Sequence, residues 1–342
     1  MRRLLFWLAS LALTVAGCAS RGPVLAPYLV DGAPSLELQN TPFFSQDAYQ
    51  CGPAALASIL KASGIDITPA ELVSQVYIPQ RRGSLQVEMV AASRRYERIP
   101  YVIAPDLSAL VAELQAGRPV LVLQNLGLPT YPVWHYAVVV GYTSDGDTII
   151  LRSGTKKRLV VPAAHFRRTW GRAKHWGFVL LRSGDLPARP DRESYLQSVA
   201  AMEGLARPEV LLKAYAAARR RWPDSRVARF GEANALQALG QLEAAERAYR
   251  LILARYPRDS ATRNNLAVAL AAQGCYPQAL ATIDVALLEE AKHSPLRKTL
   301  LETRTEILLA RQQSDSDPMT APSHGCCLNS DHNSSLENVY RM

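Results

Sequence analysis

The chain has 342 residues, 48% of them apolar and 20% charged, which is enough for two ordinary domains and excludes a fibrous or wholly disordered protein. Its formal net charge of +9 comes mostly from arginine spread along the whole length, as in Arg94-Arg95 and Arg219-Arg220-Arg221. Dispersed runs of this kind read as solvated helix faces, and with no nucleic-acid motif beside them no nucleic-acid partner is expected.

Arg2-Arg3 followed by an apolar run over residues 4–16 is a targeting segment, too short for a comfortable membrane span. Val15-Ala16-Gly17-Cys18 resembles a bacterial lipobox. The resemblance implies that residues 1–18 are a lipoprotein signal segment and that Cys18 carries a lipid. Ala19 and Ser20 supply no acidic retention residue, which points to the periplasmic face of the outer membrane; an uncleaved anchor is the alternative. Export places Cys51, Cys275, Cys326 and Cys327 in an oxidising compartment, where a bridge from Cys51 to Cys275 is one option. Residues 19–37, with Pro23, Pro27, Gly32 and Pro34, read as a tether. Residues 38–44 read as a short strand broken by Pro42.

The first compact domain is expected over residues 38–185, and it opens on Gln46-Asp47-Ala48-Tyr49-Gln50-Cys51-Gly52-Pro53-Ala54-Ala55-Leu56. Pro53 has its φ pre-set for a first helical turn, and Leu56, Ile59 and Leu60 follow at helical spacing, so Cys51 stands at a helix N-terminus. There the unpaired N–H groups and the macrodipole favour the nucleophilic thiolate, and a lowered thiol pKa is expected. Gln46 is placed to offer its amide N–H beside the Cys51 backbone N–H as an oxyanion hole. The helix runs to about Ala62 and stops at Gly64. Thr68-Pro69-Ala70-Glu71 is a capping box that starts a second helix, and residues 84–96 make a third with Leu85, Met89 and Ala92 on one face. Residues 101–103 then read as a strand, 108–116 as a helix stopped by Gly117, and 119–123 as a buried central strand.

Trp134-His135-Tyr136-Ala137-Val138-Val139-Val140-Gly141-Tyr142 is the next strand. It offers His135 as the base for Cys51, with His165 and His175 as rivals. A nucleophilic Cys early in a domain with its His on a strand far along is the arrangement of papain-like cysteine peptidases. Gln46, residues 51–56 and the run from His135 to Gly141 together resemble the bacteriocin-processing family, whose members cut peptide leaders after a double glycine. The resemblance covers about residues 38–182 and implies a cysteine peptidase with no cofactor or metal.

After His135 come a turn at residues 144–147, strands over 148–152 and 158–161, a short helix to Trp170 and a strand over 175–181: an antiparallel sheet with helices segregated to one side. The family carries an Asp that orients the imidazole. The matching place here is Ser153, with Asn125 and Asp147 as other candidates for that role.

Leu186-Pro187-Ala188-Arg189-Pro190 reads as a linker, beyond which a 34-residue period links Gly240 to Gly274, Ala245 to Ala279, Leu242 to Tyr276 and Trp222-Pro223 to Tyr256-Pro257. The period resembles the tetratricopeptide repeat, with units at about 191–223, 226–257 and 260–291, a closing helix over 294–311 and a domain over residues 191–311. Ala245 and Ala279 are expected where helices pack closest, Tyr249 and Ile283 in the core. Residues 313–342 read as a disordered tail, in which Cys326-Cys327 has no ligand cluster around it. The expected fold is thus an α+β papain-like cysteine peptidase domain followed by an all-α tetratricopeptide-repeat solenoid. The expected partners are a peptide or protein substrate, a protein on the concave face of the repeats, and a membrane reached through the lipid. A non-catalytic peptide-binding module and acyl transfer to an amine are the other readings of the same residues.

Overall fold

The computed structural model describes residues 24–29, 34–45 and 50–316, so Cys18, Gln46, Cys326 and Cys327 lie outside the described residues. Contacts divide the chain into two compact units, Met1–Ser198 and Val199–Met342.

In the first unit α1 (Cys51–Ala62), α2 (Pro69–Val76) and α3 (Gln86–Arg95) precede β2 (Ile99–Val102), α4 (Leu107–Gln115) and β3 (Val120–Asn125). Then follow β4 (Trp134–Tyr142), β5 (Thr148–Ser153), β6 (Lys156–Pro162), α5 (Ala163–Gly171) and β7 (Gly177–Leu181). The capping box forms as expected, with the Thr68 N–H donating to Glu71 Oε2 at 2.8 Å. The strands form one sheet in the order β2-β7-β3-β4-β5-β6, with every pairing antiparallel; β1 (Leu36–Glu37) adds to β4 opposite Tyr142 and Gly141.

The core lies between α1 and the sheet, where Ala55, Leu56, Ile59 and Leu60 meet Leu121, Tyr136, Val138, Val140 and Phe178. Because alternate residues of a strand face opposite ways, the side chain of Gln124 leaves the other face of β3, and there it donates to Thr169 Oγ1 of α5 at 2.7 Å. Helices therefore cover both faces, which corrects the expectation that they segregate to one side. The sheet carries apolar residues on both faces, and only cover on both removes them from water.

Other corrections are local. The strand is residues 36–37 rather than 38–44: the Leu38 N–H still donates to the Val140 carbonyl at 2.8 Å, after which the chain turns, with the Thr41 N–H donating to the Leu38 carbonyl at 3.0 Å. Leu85 caps α3 from outside and is exposed, while Met89 and Ala92 are buried as expected. His175 is in a turn with φ of 54°, before β7 begins, and its ring meets the Trp170 edge. Residues 24–29, read as tether, dock on the β4–β5 turn: Leu25 is fully buried and its N–H donates to the Gly146 carbonyl at 3.1 Å.

The first unit also extends past residue 185. The Ala188 N–H donates to Glu113 at 2.7 Å, the Asp191 N–H to the Tyr101 hydroxyl at 3.2 Å, and the buried Tyr195 donates to the Asp185 carbonyl at 3.1 Å. The stretch that reads as a linker is thus held against α4 and β2. α6 (Arg192–Ala200) follows it.

The second unit is helical throughout its described residues: α7 (Pro208–Arg221), α8 (Arg226–Ala238), α9 (Leu242–Arg255), α10 (Ser260–Ala272), α11 (Tyr276–Glu289) and α12 (Pro295–Ser316). Starts of α7, α9 and α11 are spaced by 34 residues, as are those of α8 and α10. Ala245, Tyr249, Ala279 and Ile283 are fully buried in its core, and Gly240 and Gly274 take φ of 71° and 79° after α8 and α10. Those left-handed turns favour glycine. α12 continues to Ser316, five residues past Arg311, the expected end of the closing helix.

Candidate active site

Cys51 is the first residue of α1, after Gln50, whose carbonyl accepts the Ala54 N–H at 3.2 Å. Residues Gly52 to Leu60 of this helix are all buried, so it runs through the unit and presents its N-terminus to a cleft. Cys51 is a free, half-buried thiol there; Cys275 is in a disulfide, and a Cys51–Cys275 bridge is excluded. Burial pushes the Cys51 thiol up, and the backbone N–H groups of Tyr136, Gly52 and Cys51 itself, which favour the anion, offset this only in part. The expectation of a lowered thiol pKa is therefore corrected: burial outweighs these three N–H groups.

β4 carries His135 to the same cleft. Its Nε2 lies 2.8 Å from Ser153 Oγ, at the end of β5 where the Gly154 turn (φ 58°) leads into β6. Burial lowers the His135 pKa, so at neutral pH the ring is an uncharged imidazole. With Nε2 engaged by Ser153, Nδ1 is the nitrogen left for proton exchange. A serine hydroxyl both donates and accepts, so it orients the ring without selecting one tautomer, as a carboxylate would. Cys51 and His135 share the cleft without a hydrogen bond between them among the described residues.

The rival residues stand elsewhere. Asn125 Oδ1 accepts the Gly127 and Val133 N–H groups, each at 2.9 Å, and its Nδ2 donates to the Leu128 carbonyl at 3.3 Å, so this side chain is committed to the β3–β4 loop. Asp147 precedes β5 at the end opposite Ser153, in the β4–β5 turn. His165 is exposed on α5. Gln46 lies outside the described residues.

Sequence reasoning missed Tyr136. Its backbone N–H points at the Cys51 sulfur, while its hydroxyl donates to the Ser84 carbonyl at 3.2 Å. One residue thereby ties the nucleophile to the far wall of the cleft. The signal was present in the His-Tyr pair but indistinguishable from an ordinary aromatic of a buried strand. Ser84 was also missed: its hydroxyl is buried without a partner among the described residues and lies over Gly52, where a Cβ would stand 2.2 Å from it. The cleft, about 870 Å³ in volume, is lined by Cys51, residues 81–86, Leu123, residues 132–136 and Gly154.

The site holds a thiol at a helix N-terminus, an oriented neutral imidazole and an open cleft, the parts of covalent acyl-transfer chemistry. Among the described residues no cluster of His, Cys, Asp or Glu is arranged to hold a metal ion. No curated protein matches the chain. Among solved structures it is similar to a C39-like peptidase from Bacillus anthracis, at 17% identity over 44% of this chain and 98% of that one with a TM-score of 0.37. It is also similar to the peptidase domain of Streptococcus ComA, a bifunctional ABC transporter involved in a quorum-sensing pathway, at 19% identity over 41% of this chain and 98% of that one with a TM-score of 0.34. Residues 38–177, most of the first unit, match the model of the Peptidase_C39 like family.

Proposed function

We propose that this chain is an exported, lipid-anchored cysteine peptidase. The observation that carries the reading is a free Cys51 at the start of α1 in one cleft with His135, whose ring Ser153 orients. In the resting site both partners are uncharged. As a peptide carbonyl approaches, Cys51 Sγ attacks its carbon while His135 Nδ1 takes the thiol proton, and the oxyanion forms beside the Cys51 backbone N–H and the Gln46 amide. Collapse breaks the C–N bond, the imidazolium returns the proton to the leaving amine, and the acyl group remains on sulfur as a thioester. Water then attacks with His135 as base and releases the carboxylate. Cys18 supplies the lipid anchor at the outer membrane, and the helices of the second unit act as tetratricopeptide repeats that bind a substrate or partner protein.

The test is labelling of Cys51 by a thiol-reactive peptide electrophile. Labelling that His135→Ala abolishes supports the peptidase. A second reading, a peptidase-fold module that binds peptides without cutting them, draws on the raised Cys51 pKa and on the neutral hydroxyl of Ser153, in place of a carboxylate, beside His135. Labelling indifferent to His135, with no hydrolysis of any peptide, would favour it.

A further inference from the structure

The cleft beside Cys51 is walled by Leu85, Leu123, Val133, Trp134 and Tyr136, and it contains about 870 Å³. A pair of glycines would leave such a space to water. Its outer wall is continuous with the loop of residues 126–133, which exposes Leu126, Leu128, Tyr131 (79%) and Val133, followed by Trp134 (54%).

That exposure is fixed rather than incidental. Asn125 Oδ1 accepts two N–H groups of the loop, the Leu126 N–H donates to the Val133 carbonyl at 2.8 Å, and the Leu128 N–H donates to the Tyr131 carbonyl at 3.1 Å. Arg172 donates to the Gly127 carbonyl at 2.6 Å, and a Cβ on Gly127 would stand 2.3 Å from the Tyr131 carbonyl oxygen. A loop this constrained loses little entropy when it binds, so its apolar side chains act as a pre-organised wall. The charged side chains among the described lining residues of the cleft are both arginines. Arg81 and Arg82 line it, no Asp or Glu is among its described lining residues, and Arg81 forms no ion pair among the described residues.

We propose that the cleft selects a peptide with large apolar side chains beside the bond held at Cys51 and an Asp or Glu facing Arg81, in place of a side-chain-free double glycine. The proposal rests on the peptide-binding part of the reading above and specifies its substrate class. Burial of one Leu or Phe side chain favours binding by roughly ten- to a hundred-fold over glycine.

The test uses the full chain carrying Cys51→Ala and fluorescein-labelled hexapeptides whose central pair is Leu-Phe or Gly-Gly, with Glu or Lys placed in turn at each flanking position; anisotropy gives the affinity. The expected result is binding of the Leu-Phe, Glu-containing peptides roughly ten- to a hundred-fold tighter than the Gly-Gly ones. Trp134→Ala should weaken that preference about tenfold, and Arg81→Glu should shift it from Glu to Lys. Equal affinities, or tighter binding of Gly-Gly, overturn the proposal. So does a Trp134→Ala or Tyr131→Ala effect seen only in co-sedimentation with phosphatidylglycerol vesicles or in concentration-dependent self-association, which would give the loop to a lipid surface or a second copy. Hydrolysis by the unsubstituted chain is measured separately: the binding preference without Cys51-dependent cleavage upholds the specificity and removes the peptidase.

Discussion

Cys51 and His135 are both shifted by burial, in opposite directions, and each shift favours the uncharged form. Thiol alkylation by iodoacetamide should therefore rise with an apparent pKa above the ordinary ~8.5, and a value below it would restore the thiolate–imidazolium pair. Stability follows the same groups. Below about pH 6.5 the unfolded histidine binds a proton that the folded one refuses, so stability falls as pH drops. Above about pH 8.5 the folded thiol keeps a proton that the unfolded one has lost, so stability falls as pH rises. Urea unfolding of the unsubstituted chain and of Cys51→Ala and His135→Gln across this range should show each variant losing its own limb. Ser153 tests orientation. Its replacement by Ala should lower turnover roughly tenfold, far less than the ~10⁴-fold typical of losing a triad carboxylate. Ser153→Asp should hold the proton on Nε2, raise the imidazole pKa and move Cys51 alkylation to lower pH. Unchanged turnover in Ser153→Ala would remove the orienting role.

The elements around the site explain what was legible in advance. The α1 start, the capping box of α2 and the β4 run were readable because local signals, a proline in the first turn, a Thr-x-x-Glu spacing and a β-branched string, agree with the tertiary arrangement. Cover of the sheet on both faces was not, since an apolar strand reads alike whichever helix covers it. Nor was the cleft, because Ser84 and Tyr136 meet through long-range packing that no short motif encodes. Gly52 shows the same dependence: its replacement by Ala puts a Cβ 2.2 Å from Ser84 Oγ and 2.6 Å from Ser84 Cβ. Overpacking of that kind costs about 1–3 kcal/mol and should displace Cys51, lowering its labelling rate even where the fold survives by circular dichroism. Shortening Ser84 to Gly in the same chain should recover much of the loss. At the other edge, Glu37 joins the buried Arg152, at 3.1 Å, to Arg158, at 2.8 Å, and ties β1 to β5 and β6. These two arginines hold the Glu37 carboxyl below its ordinary range against the opposing effect of burial. Glu37→Gln should destabilise the unit by about 2 kcal/mol, below the ~3–5 kcal/mol of a fully buried pair because Arg158 is half in water.

On the scale of the whole molecule, the composition shift near residue 186 and the structural boundary after Ser198 do not coincide. Composition changes where the helices rich in Ala and Arg begin, whereas a compact unit ends where its last buried side chain does. Tyr195 is fully buried, and Glu113, itself buried, accepts the Ala188 N–H while pairing with Arg118. A chain ending at Asp185 would expose the cavity left by Tyr195 and leave Glu113 short of one donor. Losing an aromatic from a packed site costs about 3–5 kcal/mol and an unmet carboxylate hydrogen bond about 1–3 kcal/mol, together a large share of the ~5–15 kcal/mol that holds a typical domain. A chain ending at Ser198 keeps both. The two truncations should therefore separate in urea unfolding, with the Ser198 form showing one cooperative transition and Cys51 labelling like that of the full chain. The Asp185 form should unfold at clearly lower urea or fail to accumulate. Equal midpoints would mean that residues 186–198 contribute nothing to the first unit. If the Ser198 form folds and is labelled yet processes a protein substrate more slowly than the full chain, while cutting short peptides at the same rate, the second unit acts in substrate capture, as proposed for its repeats.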